Sequence, residues 1–278
     1  MNRKIFKRKE IIERLKRNQK EGIPTIGAGC SCGLIARCAE QGGADLIIVY
    51  STGLSRLKGL PTYIIGDNNA ITLEMAEEIL NVVNDTPVIG GLEASDPRFW
   101  DLSYLIEKFM NAGYSGLIPF PTITMYEKGT LWRDVNEQRG LGVSREIEMI
   151  RICNKKDIFT MAYAYALDEV AKLVEAGLDC LVPHAGGTTG GDVGVKKVVS
   201  NEEAAKLTQE MINEAQKINS DIICLSHGGP IATPEDTEYL YKHTKAMGHV
   251  GASSIERIPV EIAVTNVVQK YKSYMIKK

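Results

Sequence analysis

Short apolar runs alternate with longer amphipathic stretches along nearly the whole chain, and turn residues bound each run. The runs read PTIGAG (24–29), DLIIVY (45–50), PVIGGL (87–92), GLIPF (116–120), IFTMAY (158–163), DCLVPH (179–184), IICLSH (222–227) and HVGAS (249–253). Their brevity and their β-branched or aromatic content predict strands buried on both faces, because a half-exposed strand would alternate apolar with polar residues. A helical pattern follows each run, and several carry start signals. Asp96-Pro97 pairs a cap with Pro at the first helical position, and SNEE (200–203) has the capping-box spacing. Thr233-Pro234-Glu235-Asp236 combines a cap, a Pro and first-turn acids.

Strands alternating with helices imply parallel strands joined by right-handed crossovers. Eight such units predict a single α/β domain, a closed (β/α)8 TIM barrel over residues 23–270. An N-terminal helix (1–22) precedes it and a C-terminal tail (271–278) follows. Ile5, Ile11, Ile12 and Leu15 lie on or near one face of the first helix. Long connections follow strand two (51–68) and strand four (121–143), at the end of the barrel where active sites form. The competing fold is an open doubly wound sheet. GAGCSCG (27–33) hints at it, but its third glycine is one position late for G-x-G-x-x-G.

Composition narrows the picture. A chain of 278 residues with 44% hydrophobic content can bury one large core, and such barrels run near ~250 residues. Thirty-three basic and 35 acidic residues leave a net charge of -2. No global field therefore favours nucleic acid or an anionic membrane. No uninterrupted apolar stretch reaches the roughly 18 residues of a spanning helix, and the N-terminal stretch lacks the apolar region of a signal peptide. Six scattered cysteines read as reduced thiols of a cytoplasmic protein. The final helical pattern (259–276) is apolar around much of its circumference, which predicts a homo-oligomer.

In such barrels the reacting groups sit at the C-terminal ends of strands and in the loops that follow. Strand one ends in Gly27-Ala28-Gly29, strand two in Tyr50-Ser51 and strand five at Tyr163. Strand six ends at His184 and strand seven at His227, two of only four histidines in the chain. Each stands beside glycines, in HAGGTTGGDVG (184–194) and HGGP (227–230). A single strand-end histidine is as readily a packed, hydrogen-bonded residue; two on adjacent strands point to function. The glycine loops leave backbone N–H groups uncovered and suit phosphate or carboxylate. The anion-binding set is Gly27, Gly29, Gly186, Gly187, Thr188, Thr189, Gly228, Gly229, Ser253, Ser254 and Arg257. Acid–base chemistry falls to His227, His184 or a carboxylate such as Glu93.

A divalent ion is a second possibility. Asp67, Glu93 and Asp96 are hard oxygen ligands suited to Mg2+, with Asp67 and Asp96 the metal pair, whereas His184 and His227 would better suit zinc or iron. Neither set has diagnostic spacing. No nucleotide cofactor is expected. No lysine lies inside a predicted strand, which disfavours a Schiff-base aldolase, and no serine forms a G-x-S-x-G elbow.

GAG with GL (27–34), AEQGGADLIIVYSTG (39–53), GDNNA (66–70), PVIGGLEASDP (87–97), FPT (120–122), HAGGTTGGDVG, HGGPIATPED (227–236) and GASSIERIPVE (251–261) occur in this order. The set resembles the phosphoenolpyruvate hydrolase-like family, also described as a TIM-barrel signal-transduction family. The resemblance implies a TIM barrel near those that handle phosphoenolpyruvate and phosphonopyruvate. The chain departs from the family pattern at Pro119, where Asn is usual, and at Glu93, where a small residue or Cys is usual. The glycine- and arginine-rich segment after strand two appears as LSRLKGLPTYII (54–65), with Arg56 its surviving arginine. Two functions compete. One is an enzyme acting on a small phosphorylated or carboxylated 2-oxo acid by hydrolysis or C–C/C–P lyase chemistry. The other is a ligand-sensing barrel that binds a similar anion without turnover.

Overall fold

The computed structural model describes residues 4–277. The first three residues assigned to the N-terminal helix and the last residue of the tail lie outside the described residues. The strands are β1 (Thr25–Gly29), β2 (Leu46–Val49), β3 (Val88–Leu92), β4 (Gly116–Pro119), β5 (Phe159–Ala164), β6 (Cys180–Pro183), β7 (Ile223–Cys224), β8 (Ser226–His227) and β9 (Gly248–Gly251). The helices are α1 (Arg8–Glu21), α2 (Gly33–Gln41), α3 (Thr52–Leu57), α4 (Asn68–Leu80), α5 (Leu102–Ala112), α6 (Leu131–Gln138), α7 (Val143–Lys155), α8 (Leu167–Glu175), α9 (Asn201–Ile218), α10 (Pro234–His243), α11 (Ser253–Glu256) and α12 (Ile258–Lys272). A 3-10 turn, η1, spans Ile123–Met125.

All strand pairs are parallel, in the order β7-β6-β5-β4-β3-β2-β1-β9-β8. The two ends of that order are halves of one strand. β7 pairs with β6 and β8 with β9, and Leu225 between them donates its N–H to Leu181 O at 2.9 Å. The ring therefore closes, as a (β/α)8 barrel requires. Alternation sorts the side chains. Leu46, Ile48 and Tyr50 point into the barrel with Phe159, Met161 and Tyr163. Ile47, Val49, Ala162 and Ala164 face the surrounding helices.

The helix starts are mixed. Ser200 and Thr233 close the expected capping boxes of α9 and α10. Asp96-Pro97 does not start a helix: α5 begins at Leu102, capped by Asp101, whose carboxylate accepts Ser103 N at 2.8 Å. The long connections are not bare loops, since the first holds α3 and the second holds η1 and α6.

α1 seals the N-terminal end of the barrel. Ile11 and Leu15 are fully buried in the interior cluster, while Ile5 precedes the helix and stands exposed. Two carboxylates at strand starts tie it down. Asp179 takes Arg8 through Nε at 3.0 Å and Nη2 at 2.8 Å, and also accepts Thr160 N at 3.0 Å. Asp45 accepts Asn18 Nδ2 at 2.7 Å and Ile26 N at 2.9 Å. Each acid thus satisfies a strand N–H that the ladder leaves open. At the other end of the chain, α12 buries none of its residues. Val260, Ile262, Val264, Val267, Val268 and Tyr271 on it are exposed.

Removing one partner of a mostly buried ion pair strands the other, at a cost of about 3 kcal/mol. Asp179→Ala is expected to lower the urea unfolding free energy by about that amount. Asp179→Asn, which can still accept Thr160 N, is expected to lose less; equal losses would show that the N–H contact contributes nothing.

Candidate active site

A cavity of about 510 Å³ opens at the C-terminal end of the strands. Its floor is aromatic because strand parity turns Tyr50 and Tyr163 inward. Their hydroxyls lie 2.9 Å apart, and the Phe120 ring sits 4.8 Å from Tyr50 and 5.6 Å from Tyr163, centre to centre. Burial pushes both phenols up, so they stay protonated.

The two strand-end histidines meet on this floor. Their backbones form a parallel bridge, with Ala185 N donating to His227 O at 2.9 Å. Their ring centres lie 4.5 Å apart, and Tyr165 stacks on His184 at 4.3 Å. His184 Nδ1 accepts Gly186 N at 3.0 Å; His227 Nδ1 lies 2.6 Å from Val250 O. Burial, with His227 adding to it, holds His184 well below the ordinary imidazole range. Burial lowers His227 to about 4, with Arg56 adding to the shift and the Val250 carbonyl opposing it. His249 lies behind them, outside the lining, with Nδ1 3.1 Å from Ser226 Oγ. Burial lowers it to about 3.

Charge enters from the mouth. Arg56 of α3 is 5% exposed and pairs with Glu256 of α11, which is 2% exposed and also accepts the Ser31 hydroxyl. Arg56 Nη1 donates to Thr62 Oγ1 at 3.3 Å. Its Nη2, although beside the same carboxylate, has no aligned acceptor among the described residues. Arg257 donates to Glu261 at 2.7 Å and to Gly190 O at 2.9 Å. Both arginines line the cavity with Gly186, Gly187, Thr188 and Ser253. Met125, the last residue of η1, also lines it. This connection is anchored by Glu146 of α7, which accepts Thr122 Oγ1 and Ile123 N, each at 2.6 Å. Burial pushes Glu146 up to about 8, against those hydrogen bonds.

The structure brings together His184, His227, Gly186, Gly187, Thr188, Ser253 and Arg257. It does not bring in the other candidates. Gly27 and Gly29 are barrel-packing residues: a Cβ on Gly27 would lie 3.0 Å from Ile48 Cδ1, and one on Gly29 2.9 Å from Ala252 Cα. Gly228 and Gly229 form a left-handed turn, at φ +77 and +63, pressed against the 185–186 backbone. Thr189 donates its N–H to Gly229 O, and neither it nor Ser254 lines the cavity. Glu93 lies outside the lining on Asn68 Nδ2 at 2.8 Å, and burial raises its carboxyl. The sequence singled out Arg56 without a role and missed Glu256 and Tyr165. An acid beside Arg257, two residues after GASS (251–254), was the available signal for Glu256.

The donor set does not fit the expected magnesium. Arg98 occupies Asp67 through Nη2 at 2.7 Å and Asp96 through Nη2 at 2.6 Å. That guanidinium holds Asp67 down to about 2. No carboxylate lines the cavity, and no group of three metal-ligating side chains forms among the described residues. Mg2+ requires hard oxygen ligands, which neither the rings nor the guanidinium groups supply.

A family model described as phosphoenolpyruvate hydrolase-like matches residues 10–274. The tomato (Solanum lycopersicum) ToMV susceptible protein tm-1(GCR26) is 40% identical over 277 residues, covering 97% of this chain and 36% of that protein. The putative transcriptional regulatory protein y4pA of Sinorhizobium fredii is 32% identical over 275 residues, covering 97% of this chain and 44% of that protein. The chain thus spans less than half the length of these relatives. Among solved structures, a phosphonopyruvate hydrolase in complex with oxalate and Mg++ has a TM-score of 0.60 at 18% identity, covering 94% of this chain and 87% of that one. Oxaloacetate acetylhydrolase with 3,3-difluorooxalacetate has a TM-score of 0.61 at 15% identity, covering 96% and 86%. At these identities the likeness is one of fold.

The buried groups make a signed pH prediction. His184, His227 and His249 titrate lower in the fold than the unfolded value of about 6.5. As pH falls below that value, the unfolded chain takes protons first, so stability is full above about 6.5 and is lost towards pH 4. Glu146 has the opposite sign, because raising the pH from about 4.5 ionises it only when unfolded. The melting midpoint is expected to fall between pH 6.5 and 5, and Glu146→Gln to raise it more at pH 8 than at pH 5. A midpoint flat across the acid range would contradict neutral buried histidines.

Proposed function

The chain belongs to the phosphoenolpyruvate hydrolase-like family, and from that premise we propose that it is an enzyme acting on a small phosphorylated or carboxylated 2-oxo acid. The reaction is hydrolysis or C–C/C–P lyase chemistry. The observation that carries this reading is a pair of neutral histidines lining one cavity together with Arg56 and Arg257. Arg56, Arg257 and the Gly187–Thr188 backbone receive the anion, with Ser253 adding a hydroxyl. His227 and His184 handle the proton. The oxalate and difluorooxalacetate bound by two structural neighbours are ligands of the same chemical kind. No helix among the described residues is long and apolar enough to cross a membrane. Unpaired cysteines fit a cytoplasmic setting.

The same likeness to a putative transcriptional regulatory protein supports a second reading, a sensor that binds this anion without turnover. Incubation with phosphonopyruvate, phosphoenolpyruvate or oxaloacetate separates the two. The enzyme reading expects product from at least one, and a loss of about 100-fold or more in kcat for His227→Ala at an unchanged melting midpoint. Ligand-induced thermal stabilisation without product would establish the sensor instead.

The bare apolar surface of α12 supports a homo-oligomer in which another copy covers that helix. The native chain is expected to have a multimeric mass, and Val264→Asp with Val268→Asp to reduce it. A native mass equal to one chain at every concentration would rule this out.

A further inference from the structure

His184 and His227 make opposite use of the same ring atom. Gly186 N donates to His184 Nδ1 at 3.0 Å, so that nitrogen carries a lone pair. Val250 O lies 2.6 Å from His227 Nδ1, and a carbonyl only accepts, so that nitrogen carries a proton. His227 is buried, His184 is partly buried at the cavity wall, and both rings are neutral at pH 7, which fixes the other nitrogen of each. His184 has its proton on Nε2, and His227 has its lone pair there. Neither Nε2 has a hydrogen-bond partner among the described residues, and both residues line the cavity.

We propose that His184 and His227 are a preset donor–acceptor pair that enolises a 2-oxo acid without a divalent ion. This rests on the 2-oxo acid reading given above and assigns the two histidines separate tasks. With the carboxylate on Arg56, His184 Nε2–H donates to the keto oxygen and His227 Nε2 faces the adjacent C–H. That C–H bond breaks, its electron pair becomes the C=C bond, and the carbonyl π pair moves onto oxygen. The proton goes to His227, giving an imidazolium beside an enolate, so net charge is unchanged. The His184 donor then occupies the place where other enzymes set a Lewis acid, consistent with a lining that has no carboxylate to hold one. The tautomers are held by backbone groups, Gly186 N and Val250 O, which cannot reverse roles. The pair is therefore set before any ligand arrives.

Two measurements test it. Nitrogen-15 NMR of imidazole-labelled protein at pH 7 reads the tautomers directly, with signals assigned by their loss in His184→Gln and His227→Gln. Proton NMR in D2O reads deuterium uptake at the methyl group of pyruvate, with chelator present throughout. The expected result is a protonated Nε2 in His184, a bare Nε2 in His227 and chelator-resistant exchange. Each variant should slow that exchange by about 100-fold or more while melting as the native protein does. Matching tautomers, or exchange that requires added Mg2+, overturns the pair even if the hydrolysis assays bear out an enzyme. Opposite tautomers with no exchange overturn the acid–base assignment, and the product assays then decide separately whether the enzyme reading also fails.

Discussion

Every strand of a closed parallel barrel has a helix on one side and the other strands on the other, so side-chain parity dictates what each residue can do. Odd and even positions of β2 go to different cores: Ile47 and Val49 meet helices, and Leu46 and Ile48 fill the interior. Continued past the strand, the inward register delivers Tyr50, and on β5 it delivers Tyr163. The cavity floor is thus the last layer of the barrel core. Its aromatic character follows from the same register that fills the barrel below it.

Above that layer, polarity is concentrated in few groups, each held by buried partners. Arg56 and Glu256 are nearly inaccessible and lie on helices from opposite parts of the chain. A buried pair of this kind contributes little net stability, since desolvation offsets the attraction. Its effect is positional: Glu256 fixes the guanidinium at the wall of the cavity. Arg56 also disfavours a positive charge on His227. In the proposed function the same arginine attracts the anion and keeps the neighbouring imidazole free to accept a proton.

Local signals in the sequence were enough to locate the strands, because the apolar runs of a doubly buried strand end where the burial ends. All eight runs correspond to strands within about two residues, the seventh interrupted at Leu225. His184 and His227 were legible as strand-end residues for the same reason. What could not be read was partnership across the chain. Asp96 looks like a helix cap until Arg98, two residues on, takes its carboxylate. Glu256 looks like a solvated acid until Arg56, 200 residues away, folds onto it. The glycines divide similarly: Gly186 and Gly187 expose backbone to the cavity, while Gly27 and Gly29 serve close packing in β1.

The seal made by α1 has a kinetic consequence. With Ile11 and Leu15 plugging the far end, and Asp45 and Asp179 tying the helix to separate strands, the described residues leave no through-passage along the barrel. Whatever enters by the mouth must leave by it. In the enzyme reading, arriving and departing molecules share a single doorway, so a product that lingers obstructs its own replacement, and the connections carrying α3 and η1 border that doorway.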